Sequence, residues 1–200
     1  MNKLFSYEVI DVQERILHNL VKMLSRRIYI KDKTKSPLIN YENGLKAIKD
    51  ITNSIYEFKT PNGKIFVKII LSKITSIDNN ASLSDFLDAH MSKDHMIVIV
   101  ESISDKSRAQ LIARGVEVFL GQTLMADVLD YVLQPSFEVL APYEKEECMK
   151  VYNLTIKQFP KMKESDPVAR YLNIKSGTVV RVISPSEMCG KNVNYCIVVK

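Results

Sequence analysis

Apolar side chains recur at helical spacing through the first part of the chain: Phe5, Val9, Val12, Ile16, Leu20 and Leu24, with Ile10, Leu17 and Val21 beside them. That period puts them on one stripe and predicts a long amphipathic helix over residues 5–26. Residues 33–37 read as a loop, and 41–50 as a weaker helix. The pattern then shortens to a period of two. Residues 55–58 and 65–71 flank Thr60-Pro61-Asn62-Gly63, and Asn-Gly adopts positive φ readily, so a β-hairpin is predicted. A helix over 84–91, a short apolar strand over 96–100, a helix over 104–113, a strand over 116–119 and a helix or turn over 123–130 follow. Strands alternating with helices predict an α/β N-terminal domain.

Pro135 and Pro142 interrupt regular structure, and the pattern changes beyond them. The expected division is a domain of residues 1–135 and a smaller α+β domain of residues 136–200. In the latter, Asp166-Pro167 is a helix start: the Asp side chain accepts from free backbone N–H groups, and Pro at the first helical position loses no hydrogen bond. A short helix over 168–172 should end at Asn173, which tolerates the left-handed conformation. Ser176-Gly177 turns the chain into a strand over 178–183. Ser184, Pro185, Ser186 and Glu187 open a connection to a second strand over 194–199.

The chain has 200 residues, enough for one domain or two small ones with a sizeable core. A formal charge of +5 suits a polyanionic partner and equally suits ordinary solubilising charge. Cys148, Cys189 and Cys196 lack the close paired spacing of zinc or redox motifs, and such a sparse, odd set fits a reducing compartment. No uncharged run approaches the ~20 residues that span a bilayer, and the N-terminus lacks the pattern of a secretory signal.

Candidate chemistry is sparse. Glu57-Phe58-Lys59 has the Glu-x-Lys form of metal-dependent nucleases, in which carboxylates bind Mg²⁺ and the lysine positions water. Such a site needs a second carboxylate, and Asp50, on a predicted helix, is the obvious candidate; a structural reading of the tripeptide is favoured. His18, His90 and His95 form no cluster with cysteine and read as surface or packed side chains. There is no Gly-rich phosphate loop and no nucleophile elbow. The run Glu144–Glu147 reads as a solvated helix start. No catalytic residue, metal ligand, cofactor or small-molecule substrate is expected.

The unbroken run DPVARYLNIKSGTVVRVISPSE, residues 166–187, resembles the C-terminal assembly domain of the fifth subunit of eukaryotic-type DNA-directed RNA polymerases, a family that also has archaeal members. Pro160-Lys161 precedes it, and Gly190 and Tyr195 follow in family order. Departures are specific: Asn173 replaces a Gly, Ser184 an Arg, Lys191-Asn192 an Arg-Tyr pair and Cys196 an Arg, while Glu138 and Glu144 stand for two histidines. The abundance of Ile, Lys and Asn fits an AT-rich genome such as that of a large DNA virus encoding its own polymerase.

The resemblance implies a non-catalytic subunit that docks on the largest polymerase subunit through Asp166, Pro167, Arg170, Tyr171, Pro185, Ser186, Glu187, Lys191 and Tyr195. In the short helix, Val168 and Leu172 share a face, which leaves Arg170 outward and Tyr171 contributing apolar area with a wet hydroxyl. The N-terminal domain would be a jaw with a nuclease-like fold and no nuclease activity, beside the downstream duplex. Ser104, Lys106 and Arg108 would then lie near DNA phosphates, although a solvated helix start explains them equally. The fragment 136–200 is expected to suffice for assembly with the polymerase subunits. Localisation would be nuclear for a cellular eukaryotic member, and host cytoplasm or virion for a viral one. A stand-alone nuclease-like or DNA-binding protein and a transcription-regulating module remain the alternatives.

Overall fold

The computed structural model describes residues 2–31, 34–48, 54–61, 63–77, 80–90, 95–188 and 190–200. In chain order these form α1 (Asn2–Arg26), β1 (Ile28–Lys31), β2 (Thr34–Pro37), α2 (Tyr41–Ala47), β3 (Ile55–Thr60), β4 (Gly63–Ile74), α3 (Ala81–His90), β5 (His95–Ile103), α4 (Asp105–Ala113) and β6 (Glu117–Leu120). There follow β7 (Ser136–Val139), α5 (Pro142–Val151), β8 (Lys161–Lys163), α6 (Pro167–Tyr171), β9 (Val179–Ser186) and β10 (Gly190–Val199). They pack as two units, one of Met1–Ser25 with Ile39–Ala126, the other of Arg26–Leu38 with Asp127–Lys200.

The first unit is built on a sheet of order β3-β4-β5-β6, antiparallel between β3 and β4 and parallel thereafter. Thr60 pairs with Gly63 at the end of the hairpin, and Gly63 has φ +135°, a conformation open to glycine. In β5 Met96 through Val100 are all buried, as expected of a central strand covered on both faces. Phe66, Met96, Val98 and Val100 line the face covered by Leu83, Phe86 and Leu87 of α3 and Leu111 of α4. Both crossover helices lie on that one face, the arrangement right-handed crossovers give when the sheet grows in one direction. Tyr56, Phe58, Val67, Ile97 and Ile99 are buried on the opposite face. There the α1 stripe is buried from Ile16 through Leu24, and the Gln13 amide meets the Tyr56 hydroxyl at 3.4 Å. Gly44 of α2 is a close approach: a Cβ there would stand 2.6 Å from Val21 Cγ1.

The second unit has a sheet of order β7-β9-β10-β8, antiparallel across β7, β9 and β10, with β8 added parallel to β10. α5 covers one face at Leu140, Val179 and Ile197, with Cys148 and Phe159 packed in. Ile174 and Leu172, just after α6, cover the other at Val180 and Val198. A separate two-stranded sheet, β1 with β2, belongs to the same unit.

Several expected elements change. The loop expected at 33–37 is a strand over its described residues, its exposed Thr-Lys-Ser-Pro held by pairing with Ile28–Lys31 rather than by propensity. β7 and β8 are further short strands formed by pairing at the sheet edges. The stretch expected as helix or turn over 123–130 begins as a 3₁₀ helix at Gly121–Leu124. The connection expected at Ser184–Ser186 is the end of β9, and β10 begins at Gly190, because the register runs on to Ser186 opposite Gly190. Met91 and the predicted helix end at 49–50 lie outside the described residues.

Candidate interaction surfaces

Ser104 caps α4. Its hydroxyl accepts from the Ser107 N–H at 3.3 Å and donates toward the Thr75 carbonyl at 3.0 Å, while the buried Ser107 hydroxyl reaches the same carbonyl at 3.1 Å. The exit of β4 is thereby pinned to the start of α4, and the Ser104 side chain is committed to that work. Lys106 is exposed in the first turn and Arg108 half-buried in the next. The two cations lie on the helix surface, and the Ser104 hydroxyl is taken up by the cap.

Asp166 caps α6 as its sequence requires, accepting from the Val168 N–H at 2.8 Å, with Pro167 first in the helix and Asn173 ending the segment at φ +52°. Tyr171 departs from expectation. It is 4% exposed, and its hydroxyl donates to Asp127 Oδ1 at 3.0 Å instead of meeting water. Burial first, and then the Asp127 charge, push the Tyr171 hydroxyl well above the ordinary tyrosine range. The cause is a polar cluster from outside the motif: Arg26 Nη1 donates to Asp127 at 2.7 Å and Arg26 also pairs with Asp130. The buried Arg27 guanidinium donates to the carbonyl oxygens of Tyr171, at 3.0 Å, and Arg170. Cations on the last carbonyls of a helix offset both the unpaired acceptors and the macrodipole. Tyr171 is thus a core residue of this unit. Arg170 is half-buried, with its carbonyl under Arg27.

Glu144 is likewise engaged rather than solvated. It accepts from the Ala141 N–H at 2.7 Å at the start of α5 and pairs with Lys35 of β2, so the hairpin is tied to α5. Burial would raise its carboxyl, but Lys35 and the Ala141 N–H outweigh this and hold it below the usual carboxylate range.

Pro185, Lys191 and Tyr195 come together on β9 and β10. Pro185 pairs with Lys191, and Tyr195 with Arg181, which in turn pairs with Glu138 of β7. β7 covers β9 only from Val180 to Ile183, so Pro185, which has no N–H to offer, sits where that side of the strand is open. Ser186 ends β9, and Glu187 is exposed in the turn beyond it. Arg181 Nη1 donates to Glu138 at 3.0 Å, and its guanidinium carbon lies 5.6 Å from the Tyr195 ring centre. Tyr152, at the end of α5, contacts the same ring at 5.7 Å. Asp166 and Pro167 lie elsewhere, on a groove of about 630 Å³ floored by Phe137, Val182 and Cys196. The expected interface residues therefore divide between two places on this unit, with Tyr171 inside it.

Glu57 of β3 is exposed and paired with Lys64 at 2.8 Å, while Asp50 lies outside the described residues. Among the described residues no group of three or more His, Cys, Asp and Glu side chains is placed to hold a metal, and no helix is long and apolar enough to cross a membrane. His95 Nε2 meets Glu117 at 2.6 Å, His90 stacks on Phe66 at 3.9 Å between centroids, and His18 contacts Tyr41. Cys148 is buried and Cys196 half-buried, and burial pushes both thiols up. Cys189 lies outside the described residues.

The sequence reading missed Arg26, Arg27 and Asp127. The run Ile28-Tyr29-Ile30 could have marked the stretch after the helix as strand, a reading the sequence analysis did not make, and nothing local marks the arginines as caps for a helix so distant in sequence.

Comparison with known proteins bears on this second unit first. Residues 126–198 match the family model described as RNA polymerase Rpb5, C-terminal domain. The chain is 31% identical over 191 residues to DNA-directed RNA polymerase subunit 5 of Acanthamoeba polyphaga mimivirus, covering 94% of this chain and 93% of that protein. It is 26% identical over 195 residues to the subunit rpabc1 of RNA polymerases I, II and III of Dictyostelium discoideum, covering 90% and 94%. Against subunit Rpo5 of Methanocaldococcus jannaschii it is 42% identical over 73 residues, 36% of this chain but 94% of the archaeal protein. The chain belongs to the RNA polymerase subunit 5 family.

Proposed function

We propose that the chain is a non-catalytic subunit of a multisubunit DNA-directed RNA polymerase, attached by its second unit to the largest subunit. The observation that carries this reading is the extent of the similarity: it runs through both units to a polymerase subunit of nearly the same length. The archaeal relative, 94% of which is matched by 73 residues of this chain, is far shorter than the full chain and supports giving attachment to a single unit.

The first unit acts as a jaw beside the downstream duplex, with a nuclease-like fold and no nuclease activity. Lys106 and Arg108, on the surface of α4, meet phosphates there. Contacts to phosphate alone suit an enzyme that must pass every sequence. Against a hydrolytic role stands the exposed Glu57, whose described partner is Lys64. Nucleotide addition, with its Mg²⁺, belongs to the two large subunits. The protein works in the nucleus of a eukaryotic cell or, if viral, in the host cytoplasm or the virion.

The test is purification of the tagged full chain from its native source at mild salt. Stoichiometric recovery of both large polymerase subunits is expected, and recovery as a free monomer overturns the reading. Lys106→Ala with Arg108→Ala should flatten the salt dependence of DNA retention by the assembled polymerase without changing its subunit content.

A further inference from the structure

Residues 26–38 leave the first unit and return to it, and between those two points they belong to the second. Their root is polar and firm. Arg27 is 2% exposed; its guanidinium donates to the carbonyls of Tyr171 and Arg170, and its own carbonyl accepts from the Leu38 N–H at 2.7 Å, which closes the base of the loop. Arg26 adds its pairs with Asp127 and Asp130.

Beyond the root the hold weakens. β1 and β2 form a two-stranded sheet of their own, and a hairpin of that size has little stability by itself. Strand alternation puts Ile28, Ile30 and Lys35 on one face, since Ile30 is the register partner of Lys35. That face is turned to the unit. The two isoleucines form one wall of a cavity of about 410 Å³, whose other walls include Val139, Leu140, Leu172 and Ile174, and Lys35 pairs with Glu144 of α5. Atoms that border a void of this size lack partners on one side, so apolar contact across the seam contributes less than a close-packed core would. Ile28 stays 39% exposed, and all four residues of β2 are exposed. The two apolar clusters of the main sheet are built without the hairpin.

We infer that residues 28–37 are a flap, hinged on Arg26 and Arg27 and latched by Lys35 on Glu144, which swings open while the rest of the second unit stays folded. Opening adds the apolar walls at Val139, Leu140, Leu172 and Ile174 to the unit's surface. The fixed root and the weakly packed tip make this a local opening rather than the first step of global unfolding.

The experiment follows N-ethylmaleimide labelling of the full chain, peptide by peptide, in Ile174→Cys. The introduced thiol stands in the cavity wall, and the buried native Cys148, which is not part of that wall, reports unfolding of the unit as a whole. Relative to its rate in the unfolded chain, the wall thiol should label at least about tenfold faster than Cys148. Low urea should speed it much less than Cys148, because the slope follows the surface exposed in each opening. Adding Lys35→Ala, or Glu144→Gln, which keeps an oxygen for the Ala141 N–H, should speed wall labelling about two- to fivefold, the range of a partly exposed ion pair. Hydrogen exchange of the β1 and β2 amides in the unaltered chain is the second measurement, and it decides the matter if Ile174→Cys does not fold: the same shallow urea slope is expected. A single urea slope shared with Cys148, or an opening unmoved by both latch variants, overturns the flap.

Discussion

The two units solve the same problem differently. In the first, α3 and α4 close one face of the sheet, the other is buried beside α1, and among the described residues two large apolar side chains, Ile55 and Ile112, stay exposed. In the second, one end of the sheet is covered on both faces, and among the described residues ten large apolar side chains are exposed, Val132 at 89% and Met188 at 95% among them. Among the described residues, the second unit therefore leaves more of its large apolar side chains to solvent than the first.

That contrast can be broken most forcefully in the closed unit. Ile97→Ala, at a fully buried position of β5, should cost about 2–5 kcal/mol in chemical denaturation. If the units are independent in their tasks, the same variant keeps its capture of polymerase subunits under native conditions. In the open unit, Asp127→Ala removes the acceptor shared by Arg26 and Tyr171 and should cost about 1–3 kcal/mol, read from urea unfolding.

Tyr171 also sets a pH dependence. Its folded hydroxyl is raised above the ordinary tyrosine value near 10, so the unfolded chain loses that proton first. The stabilisation is complete below about pH 10 and is lost as pH rises from there toward the folded value. Urea midpoints of the second unit should fall above pH 10, and Tyr171→Phe should flatten that fall. A profile unchanged by the substitution breaks the assignment of Tyr171 to the interior.

Gly44→Ala sharpens the picture of the first unit. Alanine favours a helix over glycine by about 1 kcal/mol, but its Cβ would meet the stiff Val21 side chain, and overpacking costs about 1–3 kcal/mol. A net loss of thermal stability is expected. The smallest effect is at Glu57: Glu57→Ala removes an exposed pair with Lys64, worth about 0.2–1 kcal/mol, and should alter no nuclease signal in a plasmid-cleavage assay.

Much of the architecture was legible because the physics is local. The α1 stripe, the hairpin at Gly63, the Asp166 cap and the Asn173 stop all follow from a few neighbouring residues. What escaped is set by residues far apart in the chain. Thr34–Pro37 has no strand propensity of its own, and Lys161–Lys163 is a strand only because β10 offers an edge. Tyr171 has the composition of an interface residue, and only the position of Asp127 and Arg26 turns it inward. The candidate surface was half legible: Pro185, Lys191 and Tyr195 were in the motif, whereas Arg181 and Tyr152 join them through register and packing.

The assignment of Arg26–Leu38 to the second unit means that the polypeptide passes between units three times, at 25–26, 38–39 and 126–127. A protease that cuts once, between Ala126 and Asp127, leaves the β1–β2 hairpin covalently on the N-terminal fragment while Arg26, Arg27 and Lys35 still grip Asp127, α6 and α5 of the other. A nick there therefore leaves the second unit made of two chains, with the hairpin as its clasp.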